Sequence, residues 1–177
     1  MIFTPTDLSG AMIIDLDRKQ DERGFFARSW CRDEFAAYNL NHNLVQCNVS
    51  FNKKAGTLRG MHYQTPPHEE AKLVRCTAGA LYDVIVDLRP GSRTYLRHFA
   101  VELTAENRRA LYIPEGFGHG FITLADNTEI FYQMSSFYVP DAQRGVRYND
   151  PEFGIRWPIP IAVISNRDAT YPDFVPD

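Results

Sequence analysis

A succession of short strand-like segments limits the fold more than any other feature. Turn signals fall between them roughly every 8–12 residues, the spacing of a sandwich or barrel. Residues 11–16 form a β-branched run and residues 44–51 a second one. Residues 72–76 and 81–88 flank Thr77-Ala78-Gly79-Ala80, which reads as a hairpin. Residues 98–103, 110–113 and 120–124 follow, and Asp126-Asn127 turns the chain into residues 129–134. Helix signals are few, with residues 33–40 the candidate. The proline-rich stretch 157–177 is expected to wrap the domain in extended form, anchored by Trp157, Ile159, Ile161, Val163 and Ile164. With 177 residues and 44% hydrophobic content, the chain suits one all-β domain over 1–177 with a core of its own.

Charge and cysteine usage narrow the function. Against 22 acidic residues stand 19 Lys and Arg, a net charge of −3, so neither nucleic acid nor a membrane surface is an expected partner. No run approaches about 18 apolar residues, so no membrane span is expected. The N-terminal stretch has no positive region before an apolar run, so no leader is expected either. Cys31, Cys47 and Cys76 are odd in number and lack a CxxC pair, which argues against a disulfide framework or a zinc site. A reducing cytoplasm is the expected compartment.

Two glycine-framed segments carry the chemistry. Gly56-Thr57-Leu58-Arg59-Gly60-Met61-His62-Tyr63-Gln64, with Lys72 beyond it, sets a guanidinium, an imidazole and an ammonium in one β-rich stretch. Pro114-Glu115-Gly116-Phe117-Gly118-His119-Gly120 presents another histidine at a glycine-cornered turn. Glycine lets the backbone turn tightly and a ligand come close, so the pattern predicts a pocket with acid–base chemistry. Arg59 and His62 have opposite parity on a regular strand. Both face one site only if Gly60 brings a bulge or twist. Taken singly, the residues also fit plainer roles. His62 fits a strand histidine, Lys72 a solvated strand start and His119 a turn cap. Tyr132, alternating with Ile130 and Met134, fits a core position, Asp168 a surface carboxylate and Glu69-Glu70 a solvated loop.

The close strands and the PxGxxH pattern at 114–119 resemble the cupins, small jelly-roll barrels. Metal-binding cupins carry an HxH pair where this chain has His62-Tyr63-Gln64. A metal set would have to draw His68 and Glu69 or Glu70 from a loop holding Pro66-Pro67, so no metal and no other cofactor is expected.

Seven collinear motifs make the resemblance narrower. They are Asp21-Glu22-Arg23-Gly24-Phe25-Phe26, Val45-Gln46-Cys47-Asn48-Val49-Ser50, Arg59-Gly60-Met61-His62-Tyr63-Gln64, Lys72-Leu73-Val74, Asp83-Val84-Ile85-Val86-Asp87-Leu88-Arg89, Ile113 through Phe121, and Asn149-Asp150-Pro151. Together they resemble the dTDP-4-dehydrorhamnose 3,5-epimerase family. The resemblance implies a metal-free homodimer of cupin-type jelly rolls with exchanged N-terminal strands, from residues 11–16 or the arm at 23–26. It implies a nucleotide-linked 4-keto-6-deoxyhexose as substrate, inverted at the carbons beside the ketone. His62 then matches the base, Asp168 its carboxylate partner, Tyr132 the proton donor and Lys72 the cation near the enolate oxygen. Arg23, Arg28, Gln46, Asn48, Arg59, His119, Tyr138, Gln143 and Arg167 match positions around the substrate.

Two departures stand out. Arg28 and Gln143 occupy positions where the family usually carries glutamate, which bears on the nucleotide or sugar more than on the reaction. A GDP- or CDP-linked sugar, inversion at a single carbon, and weak discrimination for thymidine follow as alternatives. Two further readings are a metal-dependent cupin and a non-catalytic module that binds a sugar nucleotide.

Overall fold

The structure, a computed structural model, describes residues 1–176. Its strands in chain order are β1 (Ile2–Pro5), β2 (Met12–Asp15), β3 (Lys19–Asp21), β4 (Gly24–Phe26), β5 (Gln46–Asn52), β6 (Thr57–Gln64) and β7 (Lys72–Ala78). There follow β8 (Ala80–Asp87), β9 (His98–Thr104), β10 (Ala110–Ile113), β11 (Phe117–Thr123), β12 (Thr128–Met134), β13 (Gln143–Gly145) and β14 (Val163–Ile164). Helix α1 (Arg32–Ala37) lies between β4 and β5, and α2 (Asn166–Ala169) follows β14. Among the described residues, one sheet runs β1-β2-β10-β7-β12-β5 and a second runs β13-β6-β11-β8-β9, with β14 added parallel to β6. The other ladders are antiparallel, and β3 and β4 pair only with each other.

The two sheets face each other across one core. Val74, Leu81, Ile85, Leu103, Leu111, Ile113 and Ile130 meet there from both sides. Parts of the outer faces are covered too, which is why β8 and β10 are apolar on both faces rather than on one. On β10, Leu111 and Ile113 point into the barrel, while Ala110 and Tyr112 pack under α1 against Phe35 and Leu40. On β8, Val84 and Val86 turn outward beneath Val146 and Phe153, with Trp157 and Phe174 of the C-terminal stretch packed beside them. Burial of apolar surface is favourable by about 25 cal/mol per Å², so the half-buried Trp157 and Phe174 tie the tail to this layer of the fold.

The architecture agrees with the all-β jelly roll of cupin type, while several local expectations are corrected. Thr77-Ala78-Gly79-Ala80 is not a hairpin: β7 and β8 belong to different sheets, and the chain crosses between them. Gly79, at φ +74, makes that corner. A Cβ there would lie 3.0 Å from the Thr128 Cα, a space only glycine fits. The helix over 33–40 ends at Ala37, because Asn39 takes a left-handed φ of 57. His119 sits inside β11, which starts at Phe117, and not in a turn. Val163 is 43% exposed and anchors by its backbone pairing instead. Within the single chain, β2 has β1 on one edge and β10 on the other, so segment 11–16 is already paired there.

Candidate active site

A cavity of about 360 Å³ opens at one end of the barrel, between the sheets. Period-two alternation supplies most of its wall. From β5 come Gln46, Asn48 and Ser50, while the intervening Val49 and Phe51 face outward and are exposed. From β12 come Ile130, Tyr132 and Met134, and from β7 the buried Lys72. The opposite sheet contributes Arg59, His62 and Gln64 on β6 and His119 on β11.

Arg59 and His62 reach the same cavity through the bulge their parity required. His62 pairs with His119 and Arg59 with Phe121, so three steps on β6 match two on β11. Gly60 takes a φ of +131, and a Cβ on it would fall on the Cα of Gly120. A Cβ on Gly120 would in turn lie 2.6 Å from the Met61 sulfur. The two glycines let β6 and β11 approach where the bulge sits.

Three carboxylates each hold a basic group of this cavity. His62 Nε2 lies 2.8 Å from Asp168 Oδ1, while the Gly60 N–H donates to Asp168 Oδ2 at 3.3 Å. Asp168 comes from α2, whose Ser165 N-cap accepts its N–H at 3.0 Å. Burial pushes the Asp168 carboxyl up. The His62 hydrogen bond and charge, together with the Gly60 and Ser165 hydrogen bonds, outweigh burial and hold it below the usual aspartate value. His119 Nε2 lies 2.6 Å from Asp83 Oδ1, and Asp83 is fully buried. Lys72 Nζ lies 2.7 Å from Glu70 Oε1. Burial, partly offset by Arg59, pushes the Tyr132 phenol above its ordinary value, and the Glu70 charge adds to the rise.

The polar rim is internally bonded. Arg59 Nε donates to Asn52 Oδ1 at 2.8 Å, and Gln46 Nε2 donates to Asn48 Oδ1 at 3.1 Å. The Tyr138 hydroxyl donates to Gln143 Oε1 at 2.6 Å. Arg167 adjoins the rim, its side chain in hydrogen-bonding reach of Tyr138 and Tyr171 and its guanidinium 5.9 Å from the Tyr171 ring centre. Arg23 and Arg28 are not brought to this cavity by their own chain. Arg23 pairs with Asp21 on the exposed β3–β4 arm, and Arg28 pairs with Glu34 at 2.7 Å.

Two participants escaped the sequence. Glu70 was expected in a solvated loop, yet it is buried and paired. Its position two residues before Lys72, on the same side of an extended segment, was the available signal. Asp83 carries no local mark, because its partner lies on the neighbouring strand 36 residues away. Among the described residues, no three His, Cys, Asp or Glu side chains gather as a metal-ion cluster.

The comparisons with known proteins agree with this geometry. A family model described as dTDP-4-dehydrorhamnose 3,5-epimerase matches residues 5–175. The dTDP-4-dehydrorhamnose 3,5-epimerase of Shigella flexneri is 40% identical over 171 residues, covering 96% of this chain and 94% of the relative. The crystal structure of the Bacillus anthracis enzyme of that name, with TDP and PPi bound, superposes with a TM-score of 0.93 at 37% identity, covering 98% of this chain and 99% of that one. ChmJ, a 3'-monoepimerase from Streptomyces bikiniensis solved with dTDP-quinovose, gives a TM-score of 0.86 at 35% identity, covering 96% and 86%. Fold and cavity thus define a cupin-type isomerase of the epimerase class. Within that class, the chain belongs to the dTDP-4-dehydrorhamnose 3,5-epimerase family.

Proposed function

We propose that this chain inverts C3 and C5 of a dTDP-linked 4-keto-6-deoxyhexose, the dTDP-4-dehydrorhamnose 3,5-epimerase reaction, through an enolate. One observation carries the mechanism: His62 and Tyr132 belong to opposite sheets and line the same cavity. A sugar ring seated between the sheets meets a base on one face and an acid on the other, the arrangement inversion requires. Asp168 occupies Nε2 of His62, so Nδ1 is the atom that takes the proton from carbon. The carboxylate fixes that tautomer and stabilises the imidazolium formed. Charge then develops on the ketone oxygen, where the Lys72 ammonium offsets it. Tyr132, held as a phenol, returns a proton to the opposite face.

The arm β3–β4 completes the proposal. It pairs with neither main sheet, and Phe26 at its end is 75% exposed. β5, a wall of the cavity, is a free sheet edge with Val49 and Phe51 exposed. In a homodimer the arm would cover such a partner edge and carry Arg23, with Arg28 behind it, toward the partner's nucleotide. The likeness to ChmJ favours one second reading, inversion at a single carbon.

Proton NMR of the purified protein with dTDP-, GDP-, CDP- and UDP-linked 4-keto-6-deoxy sugars in deuterated water tests the reaction, the carbons and the nucleotide together. Deuterium entering C3 and C5 of the dTDP sugar with inversion is the expected result. Exchange at C3 alone selects the second reading. Binding without any exchange would leave a sugar-nucleotide module and end the catalytic proposal.

A further inference from the structure

The Lys72–Glu70 pair is as buried as His119–Asp83, whose side chains are 11% and 0% exposed and whose Asp83 Oδ2 also lacks a partner among the described residues. It differs in holding a flexible ammonium where the other holds a ring. Its side chains are only 10% and 4% exposed, yet both line the cavity. Glu70 Oε1 meets the ammonium at 2.7 Å, while Oε2 is buried with no hydrogen-bond partner among the described residues. A carboxylate held this way loses solvation that one contact does not fully restore, so a fold that tolerates it places it for a reason other than stability. We propose that Glu70 is the positioning residue of this site, fixing the Lys72 ammonium against the cavity wall so that the cation meets the substrate from one set direction.

The proposal rests on the epimerase reading for the identity of the substrate, and on the geometry alone for the positioning. Lysine is a flexible point charge with several rotatable bonds, so an unanchored ammonium would spend its charge on water. The backbone places Glu70 well for this task. Gln133 pairs with Leu73 and Met134 with Lys72 across β12 and β7, and the Ala71 N–H donates to the Ser135 hydroxyl at 2.8 Å, pinning the residue between Glu70 and Lys72. Tyr132 stands opposite Val74, diagonal to Lys72 on the same inward face, within reach of the same negative charge. Burial is the main cause that raises the Tyr132 phenol, Arg59 opposes it, and the Glu70 charge adds to the rise. One carboxylate therefore serves both groups on this wall.

Lysine acetylation by acetic anhydride, read by peptide mass spectrometry, tests the positioning without any sugar. In the wild type Lys72 should label slowly. In Glu70→Gln, which keeps shape but loses charge, it should label about tenfold faster, the scale of one charge-assisted hydrogen bond. Glu70→Asp, which keeps the charge, should stay near the wild type, and it carries the test if the Gln variant does not fold. Kinetics on the dTDP-linked 4-keto sugar form the second arm. Glu70→Gln should lower kcat about tenfold with KM changed less than about threefold, because the cation acts on charge present only in the transition state. Equal labelling of Lys72 in wild type and the Gln variant overturns the proposal, as does an unchanged kcat. A wild type inert toward every 4-keto sugar would overturn the epimerase reading instead, while the labelling arm would still decide the role of Glu70.

Discussion

His62 and Asp168 show what single residues contribute and how to separate their effects. Replacing His62 by Ala is expected to remove deuterium entry at both carbons by about 10²–10⁴-fold, the scale of one general base, with the circular dichroism of the sheets intact. Tyr132→Phe should divide the reaction, leaving proton removal by His62 while the yield of inverted sugar falls. Inverted product at the wild-type yield would remove Tyr132 from the mechanism. Asp168 has an acid signature. Its folded carboxyl lies below the ordinary aspartate value of about 3.9, so the stability it adds is fully present above that value and is lost as pH falls through the lower folded one. Thermal melts between about pH 2 and 5 should therefore fall less steeply with acid in Asp168→Asn than in wild type. Parallel curves would show that the pair adds nothing to folding. Residue chemistry was legible where several types converge in one short segment, as at Arg59, His62 and Lys72. It was not legible at Asp83 and Glu70, whose partners are fixed only when strands assemble. Arg28 differs again: its own Glu34 engages it within the chain, a contact no spacing pattern announces.

Strands were easier to read than the connections between them. Apolar and β-branched runs between turn signals marked β5, β8, β10 and β12 to within a few residues. Whether two successive strands pair is not written in either one. β7 and β8 read as a hairpin and instead part into different sheets, since Gly79 turns the chain through a corner and each strand finds better neighbours elsewhere. The bulge on β6 was foreseeable, because two side chains of opposite parity had to share a site. A stability prediction belongs to this scale. Gly60→Ala combines a φ of +131 with a Cβ driven into the Gly120 backbone. It should cost well over about 1 kcal/mol in urea unfolding, beyond the usual glycine-to-alanine effect. A midpoint equal to wild type would mean that β6 and β11 can separate freely.

At the scale of the molecule, the proposed dimer rests on the exposed β3–β4 arm and the free β5 edge. Light scattering at assay concentration should give twice the chain mass of 20.3 kDa. Shortening the arm by removing residues 19–26 should yield monomers with weakened nucleotide binding and an intact barrel. A full-length monomer with full activity would end the proposal. The arm was visible in the sequence only as a family motif, because nothing in one chain's hydrophobic pattern says that another chain covers it. Val49, Phe51 and Phe26 look merely exposed until a partner is considered.

The pair at the centre of the site spans the chain: His62 and Asp168 lie 106 positions apart, and the second arrives on the last helix. Synthesis runs from the N-terminus, so a ribosome-bound chain can build both sheets and shape the cavity while its histidine still lacks a carboxylate. On the proposed mechanism, competence then arrives late, when α2 emerges and β14 seats beside β6. A cut between β13 and α2 would therefore loosen two things at once, the apolar cover over the outer face of β8 and the carboxylate beside His62.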